Sequence, residues 1–118
     1  MKEPKIMILE DNLGIQDLLR DTIGRRYNNC TITADPMEVL MYKFDCGIFD
    51  YNLGINITGQ MVAEKVRRMY GDKVFLISHT SEFLSDLEKE VYDVCLRKPE
   101  KMSVIYDVFY EFDRRYKK

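Results

Sequence analysis

The sequence lacks any apolar run long enough to cross a bilayer. Its longest uninterrupted apolar stretches, such as Ile6-Met7-Ile8-Leu9 and Val74-Phe75-Leu76-Ile77, are four residues each, whereas a membrane helix needs about 20. No secretory leader pattern precedes the first of them. Cysteine is scarce: Cys30, Cys46 and Cys95 are odd in number, widely spaced and without a CxxC pair, which excludes a disulfide framework and a cysteine zinc site and implies a reducing, cytoplasmic home. Charge of one sign is lacking too. The 18 Lys and Arg and 20 Asp and Glu are interspersed and leave a net charge of −2, so neither a direct nucleic-acid footprint nor an anionic-membrane anchor is expected. Repeats, low-complexity tracts and linkers are missing, and residues 1–118 read as one domain with enough apolar residues to bury a core. Histidine occurs once, as His79.

What is present is an alternation of two periodicities. Lys5–Leu9 is a short apolar run ended by Glu10-Asp11-Asn12, after which Ile15, Leu18, Leu19, Ile23 and Tyr27 recur at helical spacing. Cys30–Thr33 predicts a second strand, and Asp35-Pro36 a helix cap and first turn for a brief helix to about Lys43. Cys46-Gly47-Ile48-Phe49 predicts a third strand that ends in Asp50. Beyond the turn Asn52-Leu53-Gly54, Thr58 is placed to cap a helix carrying Val62, Val66, Met69 and Tyr70 on one face and ended by Gly71. Val74–Ile77 predicts a fourth strand, Ser81 a cap for a short helix bearing Phe83, Leu84 and Leu87, and Val91–Leu96 a fifth strand. The last helix carries Met102, Ile105, Val108, Phe109, Phe112 and Tyr116. Arg114, Arg115, Lys117 and Lys118 form a basic tail suited to the negative end of a helix dipole.

Strands that read as apolar runs, alternating with amphipathic helices, argue for a parallel sheet covered on both faces. The default is a doubly wound α/β fold with a five-stranded parallel sheet in the order 2-1-3-4-5, flavodoxin-like in topology. In that fold the C-terminal strand ends share one edge. Glu10 and Asp11, Asp50, the run Ser78-His79-Thr80, and Lys98-Pro99 all fall there. Crowded carboxylates repel unless a cation holds them, and hard oxygen ligands suit Mg²⁺ or Mn²⁺. With a metal and a lysine to neutralise phosphoryl charge and a hydroxyl to donate to it, a carboxylate such as Asp50 can act as a nucleophile towards phosphorus.

On these residues, in this order and spacing, the chain resembles the receiver domains of two-component response regulators over essentially its whole length. The resemblance implies phosphoryl transfer to Asp50 from the phosphohistidine of a sensor histidine kinase or phosphotransfer protein. It implies a metal site formed by Glu10, Asp11, Asp50 and the backbone carbonyl of Asn52, with Ser78 and Lys98 on the phosphoryl group and Pro99 following a commonly cis bond. It also implies a downstream protein target, and possible homodimerisation, through the face made by helix four, strand five and helix five, where Tyr106 and Tyr110 are partner contacts or ordinary exposed aromatics. No enzymatic activity is expected beyond Mg-dependent self-phosphorylation and slow self-dephosphorylation.

Each residue has a plainer reading. Glu10-Asp11-Asn12 also suits a helix N-terminus, Asp50 a turn, Lys98 a solvated surface and Pro99 a helix start. Thr80 competes with Ser78, which directly follows the apolar run. His79 replaces the small residue usual in the family, so His79 and Thr80 are read as modulating access. Cys95 stands where the family commonly has a switching aromatic, and Tyr92, three positions away, is expected on the opposite strand face. Cys95 and the methionines are read as core or gap-filling. The Ser78–Lys98 segment is short for the family and lacks its Gly-Ala pair, while the loop from Leu53 to Gly59 is longer than the family's by one residue. The alternative function is a pseudo-receiver: an interaction module that signals without phosphorylation. A cofactor binder of flavodoxin type is disfavoured because Glu10-Asp11-Asn12 repels phosphate.

Overall fold

The computed structural model describes residues 3–116, so Lys117 and Lys118 of the predicted basic tail lie outside the described residues. Five parallel strands run β1 (Ile6–Leu9), β2 (Cys30–Thr33), β3 (Cys46–Phe49), β4 (Phe75–Thr80) and β5 (Val94–Arg97) in the order β2-β1-β3-β4-β5. They alternate with α1 (Leu13–Arg26), α2 (Pro36–Met41), α3 (Gly59–Tyr70), α4 (Asp86–Lys89) and α5 (Met102–Tyr116). The predicted doubly wound topology is the observed one. Strand alternation sends Ile6, Ile8, Ile48 and Ile77 into a core closed by Leu19 and Ile23 of α1 and Ile105, Phe109 and Phe112 of α5. Met7, Leu9, Phe49 and Leu76 face a second core closed by Val39 of α2 and Val62, Ala63 and Val66 of α3. No described helix is long and apolar enough to cross a membrane.

Local signals set the helix ends. Asn12 Oδ1 accepts from the Ile15 N–H, Asp35 from Met37 and Thr58 from Met61, so three of the orphan amide groups at helix starts are satisfied by side chains. Gly71, at φ 57°, ends α3 in the left-handed region where a side chain is strained. Gly59 opens α3 for a different reason. A Cβ there would lie 1.7 Å from the Asp50 backbone oxygen, so only glycine lets α3 start against the end of β3.

The structure corrects several expected boundaries. β4 continues through Ser78, His79 and Thr80 because β5 pairs with Ile77–Thr80 and supplies the ladder that keeps polar residues extended. Ser81 caps nothing: the helix starts at Asp86 behind Ser85, whose side chain and that of Glu88 form a reciprocal capping box. α4 is therefore one turn, with Phe83 and Leu87 exposed. β5 starts at Val94 instead of Val91, which leaves Tyr92 in a turn where strand alternation does not apply. Its ring is buried in the second core, and its phenol is in reach of the Ser78 hydroxyl. Cys95 is exposed and not a core residue. The methionines divide: Met7 is in the second core and Met102 packs against the first, whereas Met37, Met41, Met61 and Met69 are exposed. α2 stops at Met41, short of Lys43.

The turn before β5 is held by one side chain. Arg67 donates from Nε and Nη2 to the Val91 carbonyl at 2.9 and 2.7 Å, from Nη1 to Gly71 and Val74 carbonyls at 2.8 and 2.9 Å, and from Nη2 to Asp93 at 3.0 Å. Asp93 in turn accepts the Leu76 N–H at 2.8 Å. This fork joins α3, the start of β4 and the turn into β5. Arg67→Ala is expected to cost about 2–4 kcal/mol in urea unfolding and to speed amide exchange over residues 89–93, and Arg67→Lys to recover less than half, because an ammonium cannot reproduce the planar fork. Full recovery by lysine would show that charge alone matters.

Candidate phosphoacceptor and metal site

The predicted constellation assembles at the C-terminal edge of the sheet. β1 and β3 are in register, Leu9 beside Phe49, so Glu10 and Asp50 leave adjacent strands at the same height, and the Asp50 N–H donates to the Leu9 carbonyl at 2.9 Å. Oxygen atoms of Glu10, Asp11 and Asp50 lie within 4.8 Å of one another. Glu10 and Asp50 are buried while Asp11 is exposed. Lys98 arrives from the end of β5 and donates to Glu10 Oε1 at 2.7 Å and Asp50 Oδ2 at 3.1 Å. The Lys98–Pro99 bond is cis.

The remaining predicted residues surround this triad. Asn52 lies in the turn after Asp50, its side-chain oxygen accepting from the Gly54 N–H at 3.2 Å, and its backbone carbonyl accepts none of the described hydrogen bonds. Gly54 brings that turn against Asp11: a Cβ there would lie 3.4 Å from Asp11 Oδ2. Ser78 is registered beside Phe49, the residue before Asp50, and is buried. Thr80, also buried, has its hydroxyl committed to the Glu82 N–H at 3.2 Å. The geometry thus separates the two hydroxyls: Thr80 is tied to its own turn, whereas Ser78, in reach of the Tyr92 phenol, lies on the strand beside the end of β3. Asn12 is a genuine helix cap, so the acidic turn has a structural role as well as a place at the site.

Three oxygen-bearing acids converging on one point, one open to solvent, form a donor set that fits a hard divalent cation. Without one, Lys98 supplies the positive charge. It does not do so completely: burial pushes the Glu10 carboxyl up to about 7, with Asp50 repulsion adding to it and the Lys98 hydrogen bond opposing.

His79 lies on β4 between Ser78 and Thr80, buried at 5 % exposure. Its Nδ1 is buried without a hydrogen-bond partner among the described residues. Burial, then the Lys98 charge, holds the imidazole down to about 4, against smaller opposing effects of Asp50 and Glu100. Cys95 stands opposite Ser78 in the β4–β5 register. Next to them opens a cleft of about 200 Å³ lined by Thr80, Phe83, Leu84 and Arg97. No aromatic side chain of β5 fills it, and the Arg97 guanidinium instead stacks 3.5 Å from the Phe83 ring centre. Sequence reasoning missed Tyr92 beside Ser78, and the capping pair Ser85 and Glu88 was the signal that would have shortened the strand and released it.

No protein-family model matches the chain, and no curated protein matches it by sequence. Solved structures do match. The response regulator TrrA of Thermotoga maritima, in complex with Mg²⁺ and beryllium fluoride, is 21 % identical over 92 % of this chain and 98 % of its own, with a TM-score of 0.81. TrrA in complex with the histidine kinase ThkA matches at 21 % identity, 92 % and 97 % coverage and a TM-score of 0.79. A CheY-like response regulator receiver domain protein from Methanospirillum hungatei is 17 % identical, covering 98 % of both chains, at 0.80. The fold is that of response regulator receiver domains.

The His79 imidazole gives a pH signature. In the unfolded chain it titrates near its ordinary value of about 6.5 and in the folded chain at about 4, so the unfolded state takes up the proton first as pH falls. Its contribution to stability is present above about pH 6.5 and lost towards pH 4, by up to about 3 kcal/mol. Glu10, protonated more readily when folded, runs the other way between about 4.5 and 7, so wild type is compared with His79→Gln. The wild type is expected to lose stability relative to the variant across this window, and a constant difference would refute the buried neutral imidazole.

Proposed function

We propose that the protein is a phosphoaccepting receiver: Asp50 takes a phosphoryl group from the phosphohistidine of a sensor histidine kinase or phosphotransfer protein. The observation that carries this reading is the convergence of Asp50 with Glu10, Asp11 and Lys98 at one edge of a receiver fold. An Asp50 carboxylate oxygen attacks phosphorus as the P–N bond breaks, its electron pair returning to the donor imidazole, and the product is an acyl phosphate. Glu10, Asp11, Asp50 and the Asn52 carbonyl would hold Mg²⁺ or Mn²⁺, which supplies charge that offsets the phosphoryl oxygens. Lys98 is positioned to move from its carboxylate partners to a phosphoryl oxygen, and the Ser78 hydroxyl to donate to another. TrrA, of the same fold, forms complexes both with Mg²⁺ and beryllium fluoride and with a histidine kinase, which supports the choice of cofactor and donor.

The protein then acts by contact in the cytoplasm and is not an enzyme towards other substrates beyond its own phosphorylation and slow dephosphorylation. The exposed Phe83, Leu87, Tyr106 and Tyr110 suit the face around α4, β5 and α5 to a downstream protein or a second copy. A second reading, an interaction module that signals without phosphorylation, is favoured by one observation: a bulky buried histidine stands close enough to Asp50 to interact with its charge.

Incubation with Mg²⁺ and acetyl phosphate separates the two. Wild type is expected to gain acid-labile phosphate and Asp50→Asn none; absence of label on wild type, with a cognate phosphohistidine donor also ineffective, would leave the interaction module. In the same assay His79→Ala is expected to be labelled several-fold faster than wild type, and an unchanged rate would free His79 of any part in access.

A further inference from the structure

Two of the four exposed methionines meet in one place. Met37 on α2 and Met61 on α3 line one groove with Leu40, Ile57 and Val62, a cleft of about 400 Å³ on the face opposite α1 and α5. Met61 and Met69 are 53 % and 48 % exposed, and with Lys65 and Arg68 they occupy positions i, i+4, i+7 and i+8 of α3, one stripe along the helix. At six residues, α2 is half the length of the twelve-residue α3 beside it, which is why the groove stands open.

The charges around the groove are lopsided. Lys65 and Arg68 line it, are exposed, and make no ion pair with any described residue. Glu64, the only acid among the lining residues, accepts a hydrogen bond from the Gln60 amide at 3.1 Å. From this combination we infer that the α2–α3 groove docks a partner's amphipathic helix whose apolar stripe is flanked by acidic residues. A helix is the shape that a groove between an α3 wall about 18 Å long and an α2 wall about 9 Å long accepts, methionine side chains adapt to such anchors, and the two unpaired cations select the sign of the flanking charge. The surface is separate from the α4–β5–α5 face, and docking needs no phosphoryl group, so a failure of the phosphoacceptor reading leaves it standing.

The test uses the full chain labelled at its methionine methyl groups and followed by NMR. The probe is a synthetic helix of about 14 residues with leucines at i, i+4, i+7 and i+11 flanked by glutamates, and its twin has lysines for the glutamates. The glutamate peptide is expected to shift Met37 and Met61 but not buried Met7, and to bind at least about tenfold more tightly than its twin. In Lys65→Glu/Arg68→Glu the preference is expected to reverse, and Met61→Glu, an exposed position that leaves the core intact, to abolish binding. Equal affinity for both peptides, shifts confined to other methyls, or no binding at about 1 mM peptide would overturn the proposal. So would concentration-dependent shifts of Met37 and Met61 without peptide, which would give the face to a second copy.

Discussion

The site depends on one ion-pair arrangement: the Lys98 ammonium between Glu10 and Asp50. Two buried carboxylates leave neighbouring strands at the same height, and each would be costly to bury alone. Lys98 reaches both from the far end of a third strand, so it ties the register of β1, β3 and β5 to a chemical requirement. The rise of the Glu10 carboxyl to about 7 measures how incomplete that compensation is. A site with a surplus of buried negative charge is primed to accept a divalent cation, because the same surplus that destabilises the metal-free state is relieved on binding. Gly59 belongs to this constraint as well. By letting the start of α3 sit against the Asp50 carbonyl, it fixes the backbone from which the Asp50 carboxylate projects.

The topology and the acids were legible in the sequence because both rest on local signals. Apolar runs ended by polar clusters give parallel strands, and a doubly wound sheet collects whatever follows those runs at one edge. Asp35, Thr58 and Gly71 did what their residue types predict. Boundaries failed where a neighbouring strand decided them: Ser78-His79-Thr80 is a polar end by composition, and it is strand because β5 pairs with it. That same pairing set Tyr92 outside β5 and brought it to Ser78. The burial of His79 with an unpartnered nitrogen was not legible either, since nothing in its own sequence neighbourhood reports that the fold encloses it beside Lys98. Arg67 looked like one more helical surface charge, and the carbonyls it gathers lie up to 24 residues away from it in the chain.

The two faces of the sheet are built to different standards, and this bears on where partners bind. One is closed by α1 and α5, of fourteen and fifteen residues, with Tyr27 donating to Asp113 at 2.7 Å across the seam. The other is closed fully only by α3, because α2 and α4 are six and four residues long. Shortening a helix removes covering side chains faster than it removes the surface they would cover, so apolar residues that a longer helix would have shielded remain in water. At α4 the loss is partly made good, since Tyr92 fills the core beneath and Arg67 holds the shortened turn in place. At α2 nothing equivalent is present among the described residues: Met37, Met41 and Met61 stay exposed. A surface that is costly in water and lined by the most adaptable apolar side chain is retained at least expense when another molecule covers it, and the open face of this sheet is therefore the one whose chemistry calls for a partner.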